Sequence, residues 1–288
     1  MIPAAKSRWF TRWFASQAQA RLRARFGAIH IADLAVLAQA LERAPVLVVS
    51  NHSSWWDPIV LLVLTQLHLP RADAYAMMES ANLQRLPFFA KVGAFGVDRS
   101  SRRDGAEATR YAVSLLDRPG RLVWVFAQGE ERPLHERPLR FMGGAARVAL
   151  RAPAAEVVPL AFAYGFGPVE SPEVFVSVGA PLPAERSSAQ TRAAQARAVQ
   201  HQMERIEREQ SERGSQGFVT HPLQRNSWFG GVAERMLATL ARPFVPGLVQ
   251  TPAEDLAQLE QPAGTEPQRS LAPAHSGRAE GGADERSC

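Results

Sequence analysis

Short β-rich runs alternate with helical patterns through the middle of the chain, and this alternation constrains the fold more than any other feature. The runs cover residues 46–50, 74–78, 94–98, 122–127, 157–163 and 174–178. Helical patterns lie between several of them, at residues 58–69, 83–92, 105–116 and 145–151. Strands that alternate with helices in this way are typical of parallel sheets. The sequence therefore predicts an α/β fold with a mostly parallel central sheet flanked by helices.

Three of the predicted strands are followed directly by polar stretches. These stretches begin at Asn51, Asp98 and Gln128, and they contain a histidine, arginines and glutamates. The carboxyl ends of parallel strands meet at one edge of a sheet, and ligands bind in the crevice at that edge. We therefore expect the three stretches to form a single site.

His52 and Asp57, which follow the first of these strands, are candidates for acid–base chemistry. Five positions correspond to about 140° on an α-helix, so the two side chains cannot meet on a helical face. They can meet across a compact turn if a helix begins near Asp57, and Pro58 favours such a start. In that arrangement His52 acts as a general base and Asp57 holds its tautomer. The alternative is that Asp57 only caps the helix.

The sequence offers His52 no protein nucleophile to activate. A Gly-x-Ser-x-Gly elbow is absent, and the single cysteine, Cys288, lies far from the predicted site in sequence. A histidine base without such a nucleophile suggests removal of a proton from a hydroxyl of the substrate itself. Arg99 has the planar donor fork that binds phosphate or another anionic group. Gly129 permits either a close backbone approach to a ligand or a tight turn.

These residues resemble the motifs of the glycerolipid and lysophospholipid acyltransferase family, of the lysophosphatidic acid acyltransferase type. His52-x4-Asp57 after an apolar strand resembles the first motif. Residues 94–100, which include Arg99, are similar to the second motif, and residues 126–130 are similar to the third. Pro159 on a predicted strand resembles the fourth. The four motifs occur in the family's order, and the resemblance covers roughly residues 30–185.

The resemblance implies transfer of a fatty acyl group from an acyl-thioester, either acyl-CoA or acyl carrier protein, to a hydroxyl of a membrane lipid. The implied acceptor is a lysophospholipid or a glycerol 3-phosphate derivative. His52 would be the general base and Asp57 its partner, while Pro159 would shape the pocket. The head group of the acceptor would be bound by a set of four residues, namely Arg99, Gln128, Gly129 and Glu130. No metal or redox cofactor is implied.

The third motif departs from the family pattern, which usually reads Phe-Pro-Glu-Gly followed by Thr or Ser. Here Ala127 replaces the proline, Gln128 the glutamate and Glu130 the hydroxyl residue. In the family that glutamate helps to bind a glycerol phosphate hydroxyl, so its loss argues against lysophosphatidic acid as the acceptor. Two alternatives follow: another lipid alcohol, such as a glycosylated carotenoid, is the acceptor, or the protein is a non-catalytic lipid-binding relative.

The net charge of +5 is unevenly distributed along the chain. Residues 1–32 contain six basic side chains and no acidic one, whereas residues 251–288 contain seven acidic side chains and three basic ones. Without this tail the body has 30 basic and 21 acidic residues, a charge of +9. Such a body favours an anionic partner. Because the basic residues are not arranged as in a recognisable nucleic-acid reader, we expect a membrane surface and a lipid substrate rather than nucleic acid.

The N-terminal segment has helical periodicity. Apolar residues recur at positions 10, 14, 18, 22, 26 and 29, with Trp9 and Trp13 beside them and arginines on much of the remaining surface. Tryptophans with a basic polar face are typical of a helix that lies in the membrane interface. An ordinary helix packed on the domain has the same kind of stripe, so both interpretations stay open.

Composition divides the chain into four segments. Residues 1–29 form the amphipathic helix, residues 30–185 the catalytic domain, residues 186–250 a helical extension and residues 251–288 a disordered acidic tail. The longest uncharged apolar stretch, residues 58–70, has 13 residues. A spanning helix needs roughly 20. We therefore expect a peripheral or monotopic protein on the cytoplasmic face of the membrane.

Overall fold

The computed structural model describes residues 1–167 and 170–223. Within these residues the strands are β1 Ala28–Ala32, β2 Val46–Ser50, β3 Asp73–Glu79, β4 Ala94–Val97, β5 Arg121–Phe126, β6 Glu156–Phe166, β7 Pro172–Val178 and β8 Val219–Pro222. The helices are α1 Arg8–Arg23, α2 Leu34–Arg43, α3 Asp57–His68, α4 Ser80–Arg85, α5 Phe88–Lys91, α6 Arg102–Leu115, α7 Gly143–Arg151 and α8 Ser188–Ser211. The predicted acidic tail and the end of the predicted helical extension lie outside the described residues.

The strands form one mixed sheet in the order β4-β3-β5-β2-β6-β7-β1-β8. From β4 to β6 all neighbours are parallel, and β7 is parallel to β1. The β6–β7 hairpin and the β1–β8 pair are antiparallel. The prediction of an α/β fold with a mostly parallel sheet is therefore confirmed.

Helices cover both faces of this sheet. Strand β2 lies between β5 and β6, and all five of its residues are buried. Val48 packs in the core formed with α1, α2 and α3, whereas Val49 packs in the core formed with α6, α7 and α8. An unbroken apolar run is what a strand covered on both faces requires. The polar stretch that begins at Asn51 is therefore the point at which the chain leaves the sheet.

The described structure adds β1, α2 and β8 to the predicted elements, and it differs from two of the predicted helices. The helical period does not continue to Ile29, because α1 ends at Arg23 and Ile29 lies in β1. Position 29 is in phase with the helix, and periodicity alone cannot distinguish a short buried strand from a helical segment. The helix predicted at residues 83–92 is two short helices, α4 and α5. Pro87 disfavours the helical conformation at Leu86, which has φ −128° and ψ 64°.

Strand β3 has different partners along its length. Its first half pairs with β5 as far as Ala76 opposite Trp124. Its second half pairs with β4, from Ala76 to Glu79. The ladder between β3 and β5 thus ends before the carboxyl end of either strand. Beyond that point no ladder pair joins Met77 to Val125, beside the edge where β2 ends.

Candidate active site

The His52 imidazole and the Asp57 carboxylate are in direct contact. The turn between β2 and α3 brings Nδ1 of His52 to 2.8 Å from Oδ2 of Asp57. A carboxylate only accepts hydrogen bonds, so in neutral His52 this contact assigns the proton to Nδ1 and leaves the lone pair on Nε2. The arrangement has the geometry of a histidine base held by an aspartate.

Asp57 does not cap helix α3, so the capping alternative is wrong. It is the first residue of the helix, and the N-cap position is occupied by Trp56. The fully buried carboxylate instead accepts hydrogen bonds from backbone groups that precede it, from Ser53 N at 2.7 Å and Ser54 N at 3.0 Å. These bonds hold Asp57 in the turn, on the side that faces His52.

Tyr164 is a member of this cluster that the sequence analysis missed. Its hydroxyl donates to Oδ1 of Asp57 from strand β6. Burial and the neighbouring Asp57 carboxylate raise the pKa of Tyr164 well above its ordinary value, so the phenol remains a donor. The predicted strand ended at Ala163, one residue before Tyr164, and nothing local in the sequence connects Tyr164 with Asp57.

His52 is held on three further sides. Its ring stacks on Phe126, with ring centroids 4.4 Å apart. Its backbone N–H donates to Gln128 Oε1 at 2.7 Å, and its carbonyl accepts from Arg132 N at 2.8 Å. Nε2 faces the Glu131 carboxylate at 4.0 Å, a distance too long for a hydrogen bond. Nε2 is therefore available to a substrate.

Asn51 joins this turn to strand β6. Its buried side chain donates to the carbonyl of Phe162 and accepts from the Phe162 N–H, both at 2.9 Å. These two hydrogen bonds replace the backbone pairing that would continue the β2–β6 ladder one residue beyond the end of β2. They fix the position from which the chain turns toward His52.

The turn after β5 contains the residues of the third motif. Gly129 has φ +81°, a backbone conformation that residues with a Cβ rarely adopt, so the turn favours glycine. Gln128 is buried and bonds the backbone of His52; it does not line the cleft described below. Glu130 does line the cleft, and its carboxylate pairs with Arg132.

Arg99 lies just beyond the end of β4, with its guanidinium in the cleft. Its Nε forms an ion pair with Glu79 at the end of β3, and its Nη1 lies 4.0 Å from Glu130 Oε2. The structure thus brings Arg99 to the same edge of the sheet as His52, but with carboxylates already beside it.

Pro159 is not part of this cleft. It lies within β6 opposite Val49, and its carbonyl accepts from Gly179 N at 2.8 Å. A Cβ on Gly179 would come within 2.8 Å of the Pro159 ring. Among the described residues, Pro159 packs beneath the carboxyl edge, away from the cleft lining.

A cleft of about 710 Å³ opens at this edge, and side chains from both faces of β3 line it. Its lining therefore includes residues from both faces of the sheet, near the point where the β3–β5 ladder ends. The part on the α3 face, here called the apolar part, is lined by Leu61, Leu62, Phe89, Val92 and Trp124. The part along α6 and α7, here called the cationic part, is lined by Gly105, Thr109, Gly143, Arg102, Arg147 and Arg151.

Residues 30–163 match the model of a protein family described as Acyltransferase. This segment belongs to the acyltransferase family. The match includes His52, Asp57 and Arg99, and it ends one residue before Tyr164. It confirms the resemblance of the motifs. No curated protein matches the chain.

The acyltransferase domain thus contains a histidine that lines a cleft and has a free Nε2, and the family takes an acyl donor and a lipid acceptor as substrates. In the part of the chain that the structure describes, no group of three His, Cys, Asp or Glu residues is arranged to hold a metal ion. No described helix is both long enough and apolar enough to cross a membrane.

Proposed function

We propose that the protein transfers a fatty acyl group from an acyl-thioester, acyl-CoA or acyl carrier protein, to a hydroxyl of a membrane lipid, with His52 as the general base. The observation that carries this proposal is the contact between His52 Nδ1 and Asp57 Oδ2 at 2.8 Å, which leaves Nε2 free at the cleft. Gln128 does not argue for a non-catalytic relative, because its amide oxygen supports the backbone of His52.

The proposed reaction needs no covalent enzyme intermediate. The acceptor hydroxyl gives its proton to Nε2 of His52 as its oxygen attacks the thioester carbonyl. The tetrahedral intermediate collapses, the carbon–sulfur bond breaks, and the imidazolium returns the proton to the leaving thiolate. The buried Asp57 carboxylate stabilises the imidazolium while the proton resides on His52.

The two parts of the cleft suit the two ends of an acyl-thioester. The apolar part, with Leu61, Phe89 and Trp124, offers a dry lining for an alkyl chain. Both candidate donors attach the acyl group through an arm that carries phosphate. Arg147 and Arg151 in the cationic part have no ion-pair partner among the described residues, and they are suited to that phosphate.

The acceptor lies in a membrane, and exposed aromatic residues beside the cleft support attachment to its surface. Trp9 and Trp13 on α1 are 74% and 48% exposed, and Trp55 in the turn after His52 is 47% exposed. The Arg21 guanidinium lies 5.9 Å from the Trp55 ring. The apolar stripe of α1 packs on the domain through Ala18 and Leu22, so the tryptophans, not the stripe, are free to enter an anionic interface.

Two acceptor classes follow from the motifs: a lysophospholipid or glycerol 3-phosphate derivative, and another lipid alcohol such as a glycosylated carotenoid. In both classes the reacting group is a hydroxyl, so both use His52 in the same way. The two classes differ in the charge of the group next to that hydroxyl, which is a phosphate in the first class and a sugar in a glycosylated carotenoid. This difference in charge decides which residues around His52 must bind the head group.

The test compares the wild type with His52→Ala and with His201→Ala, which removes an exposed histidine on α8. Each protein is incubated with labelled acyl-CoA, or with labelled acyl carrier protein, and with membrane lipids. We expect loss of labelled lipid only for His52→Ala. Equal incorporation by wild type and His52→Ala would refute the role of His52. Lipid binding without turnover by the wild type would identify a non-catalytic lipid-binding protein.

A further inference from the structure

The part of the cleft around His52, here called the acceptor end, contains more carboxylates than cations. Beside the buried Asp57 carboxylate that contacts His52 Nδ1, its ionic side chains are Arg99, Glu79, Glu130 and Glu131, with Arg132 paired to Glu130 behind the lining. Arg99 is paired with Glu79 and lies 4.0 Å from Glu130, and Arg132 is paired with Glu130. Each guanidinium is therefore already matched by a carboxylate.

Glu131 is the carboxylate that remains unmatched. Among the described residues its one partner within salt-bridge distance is His52, with 4.0 Å between Oε1 and Nε2. No lysine or arginine of the described residues lies within salt-bridge distance of it, and its side chain is 54% exposed. With His52 neutral, the two arginines and three glutamates have a formal charge of −1, and the buried Asp57 carboxylate makes the total −2.

This charge disfavours a phosphomonoester beside the reacting hydroxyl. Such a group carries about −1.5 to −2 charges near neutral pH. To bind Arg99 it would have to displace Glu79, and it would then lie close to Glu131. Like charges at this range repel, and the repulsion is strongest where water is excluded.

The facing atoms of His52 and Glu131 indicate which chemical groups of an acceptor can bind between them. Nε2 with its lone pair and the Glu131 carboxylate are both hydrogen-bond acceptors, and at 4.0 Å they cannot bond each other. Each of them needs a donor. Two neighbouring hydroxyl groups on one molecule supply two donors side by side, each within hydrogen-bond range of about 2.8 Å.

We infer that the acceptor has an uncharged polyol head group, a sugar or a glycerol, with one hydroxyl on Nε2 of His52 and a neighbouring hydroxyl on Glu131. This inference rests on the proposed acyl transfer and specifies its acceptor. The hydroxyl on His52 loses its proton and becomes the ester oxygen. The hydroxyl on Glu131 keeps its proton, so Glu131 determines specificity and takes no part in the proton transfer.

The experiment measures kcat and KM for three acceptors with labelled acyl-CoA: an alkyl glucoside, a 1-acylglycerol and the matching 1-acylglycerol 3-phosphate. We expect kcat/KM for at least one uncharged acceptor to exceed that for the phosphate by tenfold or more. Glu131→Gln is expected to raise KM for the uncharged acceptors severalfold with a smaller change in kcat. It should also raise kcat/KM for 1-acylglycerol 3-phosphate relative to kcat/KM for the uncharged acceptors. Glu107→Gln, at an exposed position on α6 outside the cleft lining, is the matched control.

Preference for the phosphate acceptor by an active wild type would overturn the inference and leave the acyl transfer intact. If Glu131→Gln leaves the ratio of kcat/KM between uncharged and phosphorylated acceptors unchanged, Glu131 takes no part in acceptor recognition. That result would also overturn the inference and leave the acyl transfer intact. No turnover of any acceptor by the wild type, with His52→Ala indistinguishable from it, would overturn the proposed function as well.

Discussion

Tyr164 donates its phenolic hydrogen to Oδ1 of Asp57, across 107 positions of sequence. The other carboxylate oxygen is bonded by His52 Nδ1, Ser53 N and Ser54 N. Both oxygens of the buried carboxylate thus have partners, and the carboxylate cannot rotate without breaking several bonds. The orientation of His52 therefore depends on strand β6 as well as on its own turn.

Tyr164→Phe is expected to lower kcat about 10- to 100-fold with little change in KM. The variant removes one buried hydrogen bond to a charged group, which contributes about 1.5–3 kcal/mol. Because Tyr164 does not line the cleft, substrate binding is spared. Steady-state kinetics test this, with Tyr111→Phe on α6 as the control. A rise in KM at unchanged kcat would contradict a positioning role.

Gln128→Glu is expected to keep activity within a few-fold of the wild type, whereas Gln128→Met lowers it about tenfold or more. A carboxylate can still accept from the backbone N–H of His52, at present 2.7 Å from Oε1. Methionine leaves that N–H without its partner, which costs about 1–3 kcal/mol. The measurement is kcat of the wild type and of both variants with the same acceptor. Full activity of Gln128→Met would show that this bond is dispensable.

Replacing Arg147 and Arg151 together by alanine is expected to raise KM for the acyl-thioester about tenfold or more and to leave KM for the acceptor unchanged. Hydrogen bonds to charged groups contribute about 1.5–3 kcal/mol each, and both guanidiniums line the cationic part of the cleft. Arg103→Ala with Arg110→Ala, outside that lining, is the control. A change in acceptor KM instead would reassign the cationic part to the acceptor.

The exposed tryptophans of α1 are expected to dominate attachment to lipid. Trp9→Ala with Trp13→Ala should lower binding to anionic vesicles at least tenfold, since full burial of one large apolar side chain contributes about 1.5–3 kcal/mol. Vesicle sedimentation measures the loss, and Leu150→Ala, an exposed apolar residue on α7, is the control. Unchanged sedimentation would leave α1 with a packing role alone.

The stability of the fold is expected to fall as the pH is lowered below about 6.5, through His30 in β1. Burial lowers the pKa of His30 below its ordinary value despite Glu173 at 3.4 Å, with Arg213 and Glu209 nearby. The unfolded chain therefore binds this proton first, and the free energy of unfolding declines by at most about 1.4 kcal/mol per pH unit.

Urea unfolding at pH 7.5, 6.0 and 5.0 measures this decline. His30→Gln should reduce the slope between pH 6.5 and 5.0, whereas His201→Gln on the surface of α8 should not. Identical slopes in the two variants would assign the acid sensitivity to other groups.

Local patterns in the sequence predicted the central strands and the polar stretches that follow three of them. The length of an apolar run and the spacing of a helix are local properties, so β2 and the turn to α3 can be predicted from the sequence. The same holds for the meeting of His52 with Asp57, because only five positions separate them. The end of α1 and strand β1 were not accessible, since Ile29 suits both a helix stripe and a buried strand.

The sequence by itself thus predicted the fold class, the edge of the sheet at which the polar stretches meet and a possible pair of His52 with Asp57. The tertiary structure decided which neighbours complete that site. Gln128 bonds His52 across 76 positions and Tyr164 bonds Asp57 across 107. Pro159 lies away from the cleft, and Arg99 is already paired with Glu79. Such contacts depend on the order of strands in the sheet, and no periodicity within one segment encodes that order.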